Sequence, residues 1–218
     1  MLDFAQARHS MISSQIRPCD VNDFFLLDAI NEVPRENFVP ESMRSFAYTD
    51  QSMFLELGNE RRFLLQPMVT AKMIQALEIK PGQKILDIAA GLGYSSAIME
   101  KLGASVTLLE SNETIASAAK ECLASYTNVQ VINGPLNMGV FDMSPFDGIL
   151  INGTAEDFSK TFLRQIKDNG RMVFFQGEGQ RPHATLMIRS GEAFGLRQLF
   201  NASSVKLDAF KKTDVFNF

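Results

Sequence analysis

Two acidic residues bracket a glycine-bearing turn in this chain. In ILDIAAGLGYSSAI, residues 85–98, an apolar run carrying Asp87 passes directly into a turn with Gly91 and Gly93. If the run is a strand of an open α/β sheet, that turn lies where such sheets bind ligands, beyond the carboxyl end of the strand. A carboxylate at Asp87 would repel a pyrophosphate and attract a sulfonium or ammonium group. Glu110 closes the next apolar run about twenty residues on, where a carboxylate accepts hydrogen bonds from ribose hydroxyls. A dinucleotide fingerprint needs a third glycine, and Ser96 stands in its place. A phosphate loop needs Gly-Lys-Ser/Thr, and Gly93 is followed by Tyr94. The ligand this pattern selects is S-adenosyl-L-methionine, with Tyr94 opening the next helix toward its methionine end and Ser111 beside Glu110.

These residues need strands and helices in alternation, and the chain supplies them. Apolar runs at 84–89, 105–110, 129–133, 147–152 and 171–176 read as strands, separated in part by helical stretches at 94–102, 112–125 and 157–167. Alternation of that kind predicts an α/β fold with a mainly parallel sheet and helices on both faces. Residues 184–190 and 195–202 flank the turn GEAFG and read as a hairpin that adds antiparallel strands at the C-terminal edge. Upstream, helices are expected at 3–17 and 22–33, with Asp3 and Asn22 as N-caps. The second would bury Phe25, Leu26, Ala29, Ile30 and Val33 on one face and stop at Pro34. A loop-rich stretch follows, and Pro67 opens a helix over 68–77. Residues 1–66 are thus expected as a helical cap on a core formed by 67–218, within one domain. The tail LDAFKKTDVFNF is left without an assigned element.

A hydrophobic share of 45% in 218 residues is enough for a sizeable core and argues against disorder. A formal net charge of −4 offers no broad basic face, which excludes nucleic acid as a first partner. Arg61-Arg62 and Lys211-Lys212 read as solvated charges, and His183 as a surface loop histidine. Cys19 and Cys122 are far apart and His9 and His183 isolated, so neither a disulfide nor a metal site is expected. No run of about eighteen apolar residues occurs and MLDFAQARHS lacks a leader pattern, so a cytoplasmic protein without a membrane segment is expected.

Four stretches carry a resemblance to a known family: VPRENFVP at 33–40, AYTD at 47–50, Gln66-Pro67, and SPFDGILINGT at 144–154. In that order, and over residues 8–190, the chain resembles the protein L-isoaspartate O-methyltransferases. The resemblance implies a methyltransferase that modifies isoaspartyl carboxylates in damaged proteins and so starts their repair. It also implies site residues. The family's substrate-loop serine falls on Leu65 and its threonine on Phe63, with Leu64, Gln66 and Pro67 completing a loop that faces the substrate. Neither Leu65 nor Phe63 forms a side-chain hydrogen bond. The first glycine of the family's turn is Ala89, its G-D-G is Gly134-Pro135-Leu136, and Asn152 replaces a common threonine near the pocket mouth. Proline removes the carboxylate expected near the adenine amino group.

Two alternatives accompany this reading: a family member that binds S-adenosylmethionine without catalysis, and a methyltransferase for a different small acceptor. Asp147 reads as a strand-stabilising group, and Phe46, Phe54 and Phe63 as an apolar mouth over the cofactor.

Overall fold

The computed structural model describes residues 3–57, 60–177, 182–202 and 204–211. Most of the tail, 212–218, lies outside them. The chain opens with α1 (Phe4–Met11), capped by Asp3, whose Oδ1 accepts from the Gln6 N–H. The expected single helix to residue 17 does not form: a π-helical turn at Ile12–Ile16 and a 3₁₀ turn at Arg17–Cys19 replace its second half. The hydroxyls of Ser13 and Ser14 donate to the Ser10 carbonyl, competing with the regular ladder just before Pro18.

Helix α2 (Phe24–Glu32) is capped by Asp23, one residue beyond the expected Asn22, and Asp23 Oδ1 accepts from the Phe25 and Leu26 N–H groups. That register buries Leu26, Leu27, Ala29 and Ile30 and leaves Phe25 81% exposed, so Phe25 is off the inward face. Two 3₁₀ turns follow at Arg35–Phe38 and Glu41–Phe46.

The next element corrects the expectation of a wholly helical cap. Strands β1 (Met53–Leu57) and β2 (Glu60–Leu64) form an antiparallel hairpin in which Leu55 lies opposite Arg62 and Phe54 opposite Phe63. Met53, Leu55, Arg62 and Leu64 are buried while Phe54 and Glu56 are exposed, a period of two that a mixed row of charge and hydrocarbon conceals in the sequence.

From α3 (Pro67–Leu77) the chain alternates through β3 (Lys84–Ile88), α4 (Tyr94–Lys101), β4 (Ser105–Glu110), α5 (Glu113–Cys122), β5 (Val129–Asn133) and β6 (Phe146–Thr154). The expected helix over 157–167 is reduced to α6 (Lys160–Leu163), since parallel pairing of Phe146 with Ile166 starts the next strand early, as β7 (Ile166–Gln176). Strands β8 (His183–Ser190) and β9 (Ala193–Asn201) complete the predicted hairpin with a tighter turn. His183 opens β8, paired with Gln176 and Asn201, rather than sitting in a loop.

The seven strands run in the order β5-β4-β3-β6-β7-β8-β9, parallel through β7 and antiparallel beyond it. The chain goes outward from β3 to β5 and then crosses to β6 on the other side of β3. The ends of β3, β4 and β6 therefore meet at a topological switch point. Apolar side chains alternate to opposite faces: Ile85, Val106 and Leu108 pack with the cap and α4, and Leu86, Ile88 and Leu109 with Phe146, Phe162 and Phe174.

Candidate active site

At the switch point the backbone leaves β3 through three left-handed residues: Ala89 (φ 57), Gly91 (φ 62) and Gly93 (φ 93). A side chain at Gly93 would be strained by its φ, and its Cβ would meet Leu123 Cδ1 at 2.5 Å, so Leu123 would have to shift. Ala89 adopts the same region with a side chain, at a cost of about 1–2 kcal/mol, and its N–H is held by the Leu109 carbonyl at 3.0 Å.

Asp87 lies beneath this turn with no exposure. Its Oδ2 accepts from Ser95 Oγ at 2.7 Å and Ser96 Oγ at 2.6 Å, and its Oδ1 from Asn152 Nδ2 at 2.7 Å. Burial drives the Asp87 pKa up to about 6, against the pull of those three donors and with a push from the Glu110 charge. Asn152 is thus a buried partner of Asp87, also donating to the Ile88 carbonyl, and not a group at the pocket mouth. Ser96, where a dinucleotide site would have glycine, is one of the two hydroxyls that make a buried carboxylate tenable.

Glu110, at the end of β4, is also fully buried. Its Oε1 accepts the Gly91 N–H at 2.7 Å, so the turn and the acid form one unit. Its other partner is Arg62: Nη2 donates to Oε2 at 2.8 Å, and Nε lies at 3.0 Å from Oε2 and 3.2 Å from Oε1. Arg62 was expected in solvent and is 2% exposed; it also donates to Ser111 Oγ at 2.9 Å and to the Arg61 carbonyl at 3.0 Å. Burial raises the Glu110 pKa, and the arginine opposes that rise. The hairpin brings the rest of its inner row with it. A Cβ on Gly91 would lie 3.4 Å from both Arg62 Cβ and Leu55 Cδ1.

Beside the pair is a cavity of about 520 Å³ bounded by Arg61, Arg62, Ser111, Leu136, Leu207 and Asp208. Gly134 donates its N–H to the Glu110 carbonyl at 2.9 Å, and two residues on the buried Leu136 lines this wall, while Pro135 between them is exposed.

The substrate-loop expectation changes most. Leu65 is 2% exposed and Leu64 and Pro67 are buried, so the loop does not present five residues outward. The Leu65 carbonyl accepts from Arg35 Nη2 at 2.7 Å, and Gln66 donates to Asp50 Oδ1 at 2.7 Å, tying the loop to the VPRENFVP and AYTD stretches. Arg35 is wholly buried, with Nε on the Ala47 carbonyl, Nη1 without a hydrogen-bond partner among the described residues and its guanidinium 4.8 Å from the Tyr94 ring centre. Tyr94, packed on Phe38 as well, is engaged by the cap. Of the apolar mouth, Phe46 and Phe54 are exposed, and Phe63 is half-buried with its ring 4.2 Å from Phe54. Asp147 accepts from the Lys84 N–H and from Lys167 Nζ, as a strand-stabilising group does.

Sequence reasoning missed Arg62, Leu55 and Ser95. The period-two pattern at 53–56 and the paired serines after the turn were the available signals. Among the described residues there is no group of three metal-ligating side chains, and no helix is long and apolar enough to cross a membrane.

A profile of the family described as Protein-L-isoaspartate(D-aspartate) O-methyltransferase (PCMT) matches residues 7–201. A protein-L-isoaspartate O-methyltransferase of Roseiflexus sp. (strain RS-1) is 33% identical over 208 residues, 94% of each chain. A solved protein-L-isoaspartate O-methyltransferase superposes with a TM-score of 0.81 at 23% identity, covering 92% of this chain and 65% of the other. A Plasmodium falciparum beta-aspartate methyltransferase (PCMT) structure, in complex with S-adenosyl-L-homocysteine, superposes at 0.78 with 16% identity, covering 96% of this chain and all of the other. These two structural likenesses carry the α/β methyltransferase fold.

Proposed function

This chain belongs to the protein-L-isoaspartate(D-aspartate) O-methyltransferase family, and we propose that it is an S-adenosylmethionine-dependent O-methyltransferase acting on isoaspartyl carboxylates in damaged cytoplasmic proteins. The observation that carries the reading is the unit formed by Gly91 and Glu110. The Gly91 N–H, at a left-handed turn, donates to the buried Glu110 carboxylate at adjoining strand ends, which fixes in place the acceptor that ribose hydroxyls need.

In this reading Glu110 accepts the ribose hydroxyls, with Ser111 beside it. Gly91 and Gly93 give the close backbone approach, and Gly134, Pro135 and Leu136 flank the base. Asp87 supplies negative potential beneath the sulfonium, fixed by Ser95, Ser96 and Asn152, while Ala89 and Tyr94 shape the turn from behind. The bound donor supplies an electrophilic methyl group. The acceptor carboxylate is ionised near neutral pH and needs no general base. What remains for the protein is alignment, which supplies several kcal/mol. Without hydroxyls at Phe63 and Leu65, that alignment falls to backbone groups and Gln66 at the foot of the hairpin.

The Arg62–Glu110 pair favours a second reading, in which the chain keeps the fold and no longer turns over. The deciding experiment is methyl transfer from labelled S-adenosylmethionine to an isoaspartyl peptide and to its aspartyl counterpart. Transfer to the isoaspartyl peptide alone supports the first reading. Absence of transfer to either, in protein that binds the donor, refutes it in favour of the second.

A further inference from the structure

We propose that Arg62 is a latch: it occupies the ribose-binding face of Glu110, and the methyl donor binds only when the β1–β2 hairpin lifts Arg62 away. This deepens the cofactor reading above and rests on it.

Three observations carry it. Arg62 engages both Glu110 oxygens through Nε and Nη2 at 2.8–3.2 Å, and Ser111 Oγ through Nη2, so the hydrogen-bonding edge a ribose would use is already spent on a guanidinium. Both side chains of the pair are almost completely buried, 2% and 0% exposed, so no layer of solvent waits to be exchanged for a ligand. The roof also touches the turn itself. Arg62 Cβ and Leu55 Cδ1 are in van der Waals range of the point where a Gly91 side chain would begin, and that is the space the glycine leaves for a ligand's approach.

The hairpin suits this movement. Its foot is pinned, since the Gln66 N–H donates to Ser52 Oγ and Arg35 holds the Leu65 carbonyl. Its backbone pairing among the described residues is with itself: β1 and β2 form a separate two-stranded sheet that shares no ladder with the seven-stranded one and meets it through side chains. A two-stranded ribbon by itself is marginal in water. Lifting it breaks the Arg62–Glu110 contact and leaves the ladder of β3, β4 and β6 intact. The apparent affinity for the donor is then its intrinsic affinity scaled by the fraction of open hairpin.

The test combines calorimetric titration of the full chain with S-adenosylmethionine and S-adenosylhomocysteine and hydrogen exchange of the amides in β1 and β2. It is run on wild type, Arg62→Ala and Arg62→Gln, with a thermal melt to establish that each is folded. The latch predicts at least tenfold tighter donor binding by Arg62→Ala, an intermediate value for Arg62→Gln, and faster exchange in β1 and β2 of the wild type when the ligand is added. Should Arg62→Ala fail to fold, Arg62→Gln and wild-type exchange decide. Equal affinities, with hairpin exchange unchanged by ligand, overturn the latch and leave the cofactor reading standing. Failure of every folded form to bind at millimolar ligand overturns the cofactor reading, and the latch falls with it.

Discussion

The ligand turn has a floor and a roof, and they are built on different principles. The floor is the end of β3, the turn through Gly93 and the end of β4. Most of its groups lie close in sequence, and its buried acid Asp87 is satisfied by neutral donors, two of them from the helix that follows and the third, Asn152, from β6. The roof is the β1–β2 hairpin. Its buried polar group is a cation, and that cation's partner Glu110 is 48 residues away. Burial raises the pKa of both acids, but what opposes the rise at Asp87 is neutral donors, whereas at Glu110 it is chiefly an arginine, which acts only while both partners stay in place. The floor's buried acid therefore needs no charged partner, and the roof's hold depends on one.

The largest effect expected follows from that conditionality. Glu110→Gln removes one member of a buried ion pair and leaves the Arg62 charge uncompensated, a loss of about 3–5 kcal/mol if nothing moves. Because the hairpin's strands, among the described residues, pair only with each other, the loss should appear there: amides of β1 and β2 should lose most of their exchange protection while those of β3 keep theirs. Uniform loss of protection across β1–β4 would mean that roof and floor are one cooperative unit.

The same contrast governs what the sequence discloses. Strand, turn and acid follow one another over residues 84–110, so the apolar runs, the glycines and Glu110 are read from local pattern, and the structure places them together. Ser95 and Ser96 were readable as hydroxyls but not as partners of Asp87, because which face α4 turns to the strand is settled by packing. Arg62 is the sharper case. A doublet Arg61-Arg62 has no property of its own that separates the exposed member from the buried one. Only the hairpin register, with Arg62 opposite Leu55 on the inner row, makes the distinction. Leu65 was located through family motifs, and its burial follows from the Arg35 contact that those motifs contain but do not spell out.

A second prediction tests the floor alone. The Asp87 carboxyl has a pKa of about 6 in the folded protein against an ordinary 3.8. The folded state therefore holds a proton that the unfolded state has released between those values, and stability falls as pH rises through that window. The gap corresponds to on the order of 3 kcal/mol at neutral pH. Asp87→Asn removes the titration, and the Ser95 and Ser96 hydroxyls can rotate to accept from the new amide. Urea unfolding at pH 4 and pH 8 should show the variant gaining up to that amount on wild type at the higher pH. A difference independent of pH would mean that Asp87 does not titrate in this window.

The smallest effect belongs to the roof. Phe54 and Phe63 are directly opposed across β1 and β2, with ring centres 4.2 Å apart and planes tilted by 42°. An aromatic cross-strand pair is worth about 0.5–1.5 kcal/mol, and Phe54, half-exposed, puts this one at the lower end. The coupling is read from a double-mutant cycle of Phe54→Ala and Phe63→Ala, using hairpin exchange as the stability measure. About 0.5 kcal/mol, with the β3 amides unmoved, would give the roof a small self-supporting term independent of Glu110. A coupling of zero would leave the hairpin held to the floor by Arg62 and its inward apolar row alone. The only polar hold on the closed roof in that row would then be the contact that a ribose at Glu110 must replace.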